Sequence, residues 1–413
     1  MVPDGWREIT ADEICTKITK GTTPPKSEIE TERGIPFVRV NNLTLGGALG
    51  LSGKILFTTQ ETHNGFLSRS KAYSGDLLMN IVGPPLGKIS LLDDAYSEYN
   101  LNQAVLIYRP NSEEVLSEFL YAYVCSTAAQ SWLDSRAKKT SGQKNLTIQI
   151  CKELPILLPP LPEQKKIAEI LSTWDEAIQT TEKLLANAEA QKKALIQQLL
   201  TGKRRLKGFD GEWREVPLSE AGTVLVSNVD KKSVNGEQPV RLCNYMDVYR
   251  NNTINPMMEL MKATASAGQV AKFGLRVGDV LVTKDSEKPS DIAISAYVED
   301  TAPDLVCGYH LAILRPAAGV SGRFLKLFFD LPKTRYHFAT RANGATRFGL
   351  TVSAIETAPI CLPTLDEQER IADVLFDLHA NENILTETIV QLRSEKRALM
   401  QQLLTGKQRV LVA

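Results

Sequence analysis

The 413-residue chain contains no run of eighteen or more apolar residues, so a membrane-spanning helix is not expected. The opening Met1-Val2-Pro3-Asp4-Gly5-Trp6-Arg7-Glu8 lacks the basic segment and apolar run of an export signal. That absence points to the cytoplasm. None of the six cysteines (Cys15, Cys125, Cys151, Cys243, Cys307, Cys361) is paired as C-x-x-C, and no histidine stands at zinc-ligand spacing. Neither a disulfide framework nor a zinc site is supported, and the cysteines read as reduced, mostly buried thiols. Net charge is also missing, since 48 basic residues balance 48 acidic ones. A protein that neutralises phosphates unaided carries a basic excess, so any nucleic-acid role here needs segregated charge or a partner.

Catalytic motifs are absent as well. Val82-Gly83-Pro84-Pro85-Leu86 has the diproline of an adenine methyltransferase motif, but not its amide or carboxyl group, nor its aromatic. No G-x-G-x-x-G opens a βαβ unit, which leaves S-adenosylmethionine without a site. Gly53-Lys54 and Gly202-Lys203 lack the upstream glycine and following Ser/Thr of a P-loop, so ATP is not implied. His63, His310, His337 and His379 form no metal or nucleophile pattern and read as structural. Asp285 and Glu287-Lys288 read as a solvated charge cluster rather than a nuclease centre.

What is present is a duplication. Residues 159–203 align without gaps on 363–407 at a constant offset of 204, with 17 identities in 45 positions. The repeat opens with Pro159-Pro160-Leu161-Pro162-Glu163-Gln164 and Pro363-Thr364-Leu365-Asp366-Glu367-Gln368. It closes with the seven-residue run Gln197–Lys203, repeated at Gln401–Lys407. A fainter echo runs through the rest. Trp6-Arg7-Glu8 answers Trp213-Arg214-Glu215, and Val38-Arg39 answers Val240-Arg241. Asn42 answers Asn244, Gly75-Asp76 answers Gly278-Asp279, Arg109-Pro110 answers Arg315-Pro316, and Leu146-Thr147 answers Leu350-Thr351. The chain therefore divides into a first globular head (1–158), a helical segment (159–206), a second head (207–362) and a second helical segment (363–413).

The repeated segments read as long helices. From Glu163 to Leu200 there is neither Pro nor Gly. Ile167, Leu171, Trp174, Ile178, Thr181, Leu185, Ala188, Leu195 and Leu199 follow alternating steps of four and three, a coiled-coil seam that Lys192 interrupts. In the second copy Ile371, Leu375, Leu378, Leu385, Ile389, Leu392, Leu399 and Leu403 keep the register, with Glu382 and Lys396 as exceptions. Each helix would span roughly 55 Å at about 1.5 Å per residue. The fold class is α/β: two mixed α/β heads joined by two long helices packed as an antiparallel coiled coil, with internal pseudo-two-fold symmetry. Candidate strands are Pro36–Val40, Asp76–Ile81, Lys88–Leu92 and Ala104–Tyr108, followed by a helix over Glu118–Ser131. Their counterparts are Pro239–Cys243, Asp279–Thr283, Ile292–Val298 and Leu311–Arg315, followed by a helix over Phe324–Leu331.

The helix signatures resemble those of Type I restriction–modification DNA specificity subunits. The likeness spans the whole chain; the helical motifs carry it, and the heads correspond to that family's variable target-recognition domains. The resemblance implies that each head reads one half of a split, asymmetric double-stranded DNA site and that the helices set the spacer. It also implies that two methylation subunits dock on the helices and bring S-adenosylmethionine and base flipping. Restriction subunits would bring ATP- and Mg-dependent translocation and cleavage. This chain would itself be non-catalytic, with no cofactor, no metal and no membrane contact. By analogy, and because Arg, Lys, Asn and Gln make base and phosphate contacts, DNA is expected at Thr22, Thr23, Lys26, Arg39, Asn41, Asn42, Lys139, Gln143, Lys144 and Asn145. In the second head it is expected at Lys231, Lys232, Asn244, Lys284, Arg341, Asn343 and Arg347. Outward helix residues Glu163, Gln164, Lys165, Gln197, Gln198, Glu367, Gln368, Gln401 and Gln402 are expected to face the methylation subunits or cap the helix ends. Two rival readings are a coiled-coil adaptor with two protein-binding heads and no DNA role, and a self-contained nuclease or methyltransferase, which would need a catalytic motif.

Overall fold

The computed structural model describes residues 2–30, 32–44, 49–50, 55–140 and 142–411. Gly53-Lys54, Ser141 in the loop after Lys138, and the C-terminal pair 412–413 lie outside the described residues. The chain forms two compact units. One comprises residues 1–183 and 386–413, the other residues 184–385.

In the first unit the centre is an antiparallel sheet of β1 (Cys15–Lys20), β2 (Leu77–Asn80), β3 (Ile89–Leu91) and β4 (Val105–Pro110), in the order β1-β4-β2-β3. Strand side chains alternate between faces, and here β2 and the first four residues of β4 are buried on both faces and largely apolar, while β1, at the edge, keeps polar Thr16, Lys17, Thr19 and Lys20. Leu77, Met79, Leu106 and Tyr108 point into a core shared with helices. Leu78, Val105 and Ile107 point into a second core beneath Val38, Tyr99 and Leu101. The expected single helix is two, Ser117–Cys125 and Thr127–Arg136. Ser126 breaks it by accepting from the Ala129 amide at 3.2 Å as the N-cap of the second.

The first long helix, α1, runs Leu161–Leu199. The second unit repeats the plan with β5 (Gly222–Val226), β6 (Val280–Thr283), β7 (Ser295–Val298) and β8 (Leu311–Pro316), ordered β5-β8-β6-β7 with the short Thr253–Ile254 at the edge. Val280, Val282, Ala312 and Leu314 face the core that contains helices. Leu281, Leu311 and Ile313 face the other. The second long helix, α2, runs Leu365–Leu403.

Each unit contains the first part of one long helix and the last part of the other, packed antiparallel. In the first unit Arg393 pairs with Glu182 and Lys396 with Asp175, so partners rise along one helix as they fall along the other. Ile167 and Leu171 share a core with Met400 and Leu403 there, as Ile196 and Leu199 do with Ile371 and Leu375 in the second unit. Fully burying each such side chain contributes about 1.5–3 kcal/mol. No seam position is exposed. The charged exceptions satisfy one another across the seam: Lys192 pairs with Glu382 and touches His379 at 3.2 Å, while Lys396 takes Asp175.

The faint sequence echoes turn out to be structural ties. Arg109 donates to both oxygens of buried Asp76, at 2.9 and 2.7 Å, and Arg315 does the same to Asp279, also at 2.9 and 2.7 Å. Thr147 and Thr351 are N-caps, accepting from the amides of Ile150 (3.2 Å) and Ala354 (3.1 Å).

Two outcomes follow for stability. Asp279→Ala strands Arg315 beside the core and removes the acceptor for the Arg276 amide. Breaking such a buried pair costs about 3–5 kcal/mol, so denaturant unfolding followed by near-ultraviolet circular dichroism should show an earlier transition. Lys192→Glu should destabilise the chain, and adding Glu382→Lys should recover most of the loss. A double-mutant cycle should return a coupling of roughly 0.5–3 kcal/mol, and additive effects would show that the pair does not act as a unit.

Candidate nucleic-acid interface

The strand registers bring separate loops to one end of each central sheet. In the first head, β1 ends at Lys20 and β2 at Asn80, while β3 and β4 begin there. The Gly21 amide bonds to the Val105 carbonyl and Thr22 to Leu101. A Cβ at Gly21 would lie 2.2 Å from the Leu101 carbonyl oxygen, so only glycine lets Thr22 and Thr23 run beside Asn102. The hairpin of Lys138–Thr140 and Gln143–Asn145 docks at the same end, where the Gly83 amide bonds to the Lys144 carbonyl and Leu146 to Ile81. Thr22, Thr23, Lys139, Gln143, Lys144 and Asn145 are thereby collected. The turn after Val38 joins them, since the Asn102 amide bonds to the Val38 carbonyl; it carries half-buried Arg39 and exposed Asn41. Lys144 already engages Asp134 at 2.7 Å.

One expectation in this head needs correction. Asn42 is only 4% exposed, and its side chain accepts from the Arg39 amide at 3.0 Å, closing the turn instead of facing outward. Lys26 is exposed on the 3-10 turn Lys26–Glu28, which follows Thr22 and Thr23 and leads into the small sheet where Ile29 pairs with Thr58.

The second head gathers the equivalent loops. Asp285–Ser286 pairs with Phe348–Gly349, the Gly308 amide bonds to the Cys243 carbonyl, and Tyr309 bonds to Val229. A cavity of about 660 Å³ opens here. Lys231, Asn244 and Arg347 line it, and Lys284 ion-pairs with Asp285 in its wall. Asn343 bridges to Gly349 beside it. Lys232 is exposed and lies 3.6 Å from Asp230, while Arg341 donates to the His337 carbonyl, ending a helix. Asp285 is not part of a solvated cluster. Besides Lys284 it accepts from His310 Nδ1 at 3.1 Å, so His310 is part of this wall. The inward Tyr245, stacked on Tyr249 with centroids 5.6 Å apart, is a further lining residue that no motif announced.

The helix signatures fare differently. Lys165, Gln197, Gln198, Gln401 and Gln402 are exposed, but Glu163, Gln164, Glu367 and Gln368 are buried, at 8%, 0%, 1% and 1% exposure. These four cannot form an outward partner surface. They hold the heads. Gln164 accepts from the Leu116 amide at 2.8 Å and donates to the carbonyls of Pro159 (2.9 Å) and Glu114 (3.0 Å). Gln368 accepts from Ser321 at 2.9 Å and donates to Pro363 (2.9 Å) and Gly319 (3.3 Å). Glu163 accepts from Trp6 Nε1 at 3.2 Å and pairs with Arg409, which lies over the Trp6 ring. Glu367 takes Arg205 at 2.6 Å through both oxygens, and Arg205 lies over Trp213.

Burial pushes the Cys125 and Cys151 thiols up to about 12 and disfavours the reactive thiolate.

Residues 3–190 and 213–393 match the model of the Type I restriction modification DNA specificity domain. The putative type I restriction enzyme MjaX specificity subunit of Methanocaldococcus jannaschii is 24% identical over 431 residues, covering 99% of this chain and 95% of that protein. The EcoKI specificity subunit of Escherichia coli is 26% identical over 216 residues, covering 51% of this chain and 44% of that protein. The solved Type-I restriction-modification system S subunit from M. genitalium shares the fold, with a TM-score of 0.61 at 14% identity over 98% of this chain and 96% of that one. With both halves matched, the chain belongs to the family of Type I restriction–modification DNA specificity subunits.

Proposed function

We propose that each head reads one half of a split, asymmetric DNA site through the loops gathered at one end of its central sheet. The observation that carries this reading is the division of residues in both heads. Those repeated between the halves are spent on internal ties, while the differing Lys, Asn, Gln and Thr side chains are concentrated on the loops. Such side chains position phosphates and read base edges. Because the loops of the two heads differ, the two half-sites differ.

The long helices set the spacing between half-sites, and their exposed Lys165, Gln197, Gln198, Gln401 and Gln402 face methylation subunits. This chain is the non-catalytic reader. S-adenosylmethionine belongs to the methylation subunits, ATP and Mg to restriction subunits, and the assembly works in the cytoplasm. Among the described residues no helix is long and apolar enough to cross a membrane.

The deciding experiment co-expresses the chain with its methylation subunit in a host lacking this activity and maps modified adenine. A bipartite asymmetric motif that appears only with this chain is the expected result. Its absence, with no complex formed, returns the chain to an adaptor role. Within the complex, Lys231→Ala with Lys232→Ala should weaken binding across sequences. It should also flatten the dependence of log affinity on log salt by roughly 0.9 for each phosphate that is no longer neutralised. An unchanged salt slope would place these lysines away from the backbone.

A further inference from the structure

The cavity in the second head contains a group whose orientation is fixed from several sides. His310 is held at Nδ1 by Asp285 at 3.1 Å, its ring lies against Tyr309 with centroids 3.7 Å apart, and its carbonyl accepts from the Lys284 amide at 3.1 Å. Its backbone leaves Gly308, where a Cβ would come within 2.9 Å of the Cys243 carbonyl, so the turn itself has little freedom. The charge of Asp285 is already balanced by Lys284. In the tautomer that donates Nδ1–H to Asp285, the imidazole presents Nε2 as an acceptor, and among the described residues no hydrogen bond to Nε2 is made within the chain.

The surroundings suit a base edge. Tyr245 and Tyr249 form a stacked wall, Tyr245 is steadied by its hydroxyl contact to Ser286 at 3.3 Å, and Tyr249 is 40% exposed. Lys231, Lys288 and Arg347 are exposed on the lining, where phosphates would pass. Among its described residues the first head has no such device. Strand pairing places Ala104, before β4, where His310 stands before β8, and Val82, bridged to Asn145, where Asp285 pairs with Gly349.

Resting on the DNA-reading role above, we propose that His310 is a specificity-determining residue of the second head: its Nε2 accepts a hydrogen bond from an exocyclic base amine, cytosine N4 or adenine N6, with Asp285 as the positioning residue. In the major groove only cytosine and adenine offer an amine donor, so this head selects one of them at the position His310 meets.

The test uses the complex of the chain with its methylation subunit, on duplexes carrying the mapped motif. At each cytosine or adenine of the two half-sites the amine is deleted, with 2-pyrimidinone replacing cytosine and purine replacing adenine. For the unaltered chain, deleting the amine that His310 meets should weaken binding roughly 5- to 150-fold, the cost of leaving one buried acceptor unpaired, and amines contacted elsewhere in either half-site should carry penalties of their own. For His310→Ala that penalty should vanish, while penalties in the other half-site persist, which also shows that the variant is folded. Asp285→Asn should reduce the same penalty without touching the others. Equal penalties in the unaltered chain and in His310→Ala at every position would sink the proposal, as would a mapped motif that relaxes at guanine or thymine in the variant. If the unaltered complex produces no bipartite motif, the DNA-reading role fails first, and that outcome is separable because it appears before any substitution is made.

Discussion

A buried carboxylate at the start of each long helix governs how this chain is built. Glu163 and Glu367 sit almost wholly out of water, a costly place for a charge unless a cation and hydrogen bonds meet it. The cation arrives from sequence that follows the end of the other long helix: Arg409 comes after α2 and closes on Glu163, and Arg205 comes after α1 and closes on Glu367. That closure demands that the start of one helix lie beside the end of the other, which is the antiparallel arrangement. The neighbouring glutamines complete it by taking a head amide and donating to head carbonyls. Head, helix start and helix end are thus one cooperative junction, made twice.

The same constraint explains why the repeat is uneven. Positions that close the junction, or that pair Asp with Arg inside a head, tolerate little, because removing one partner leaves the other buried and unmatched. Loops at the end of the sheet are constrained only through their backbone bonds, as at Gly21 and Gly308, and their side chains are left to vary. A frame of this type can carry new loop chemistry without being rebuilt, which is what a reader of varied sequences requires.

The sequence made the architecture legible because helix periodicity and internal repetition are local signals. The heptad seam, its Lys192, Glu382 and Lys396 exceptions and the Pro-flanked starts were all visible. What the exceptions did was not visible, since Lys192 meets Glu382 only after the helices pack. The most specific motif was the one most easily misread. Glu-Gln at a helix start looks like an exposed face by composition, and only tertiary contact shows it as buried. In the heads, most of the Lys-, Asn- and Thr-bearing loops singled out from the sequence fall together at one end of the sheet, but Asn42 turned inward to cap its own turn. The Asp285–His310 contact could not be read at all, because it joins residues on two different loops through strand register.

On the proposed reading, that last contact is also how one frame yields two different heads. At corresponding places in the first head stand Ala104 and Val82, with the rigid Gly83-Pro84-Pro85 turn between strands, so the first head offers shape and backbone where the second offers an oriented imidazole. A hydrogen-bonding group set in a partly dry wall discriminates more sharply than an apolar one, because a mismatched edge leaves it unpaired. The frame keeps the two heads equivalent in how they are held, and differences of this kind, confined to a few loop positions, make them unequal in what they recognise.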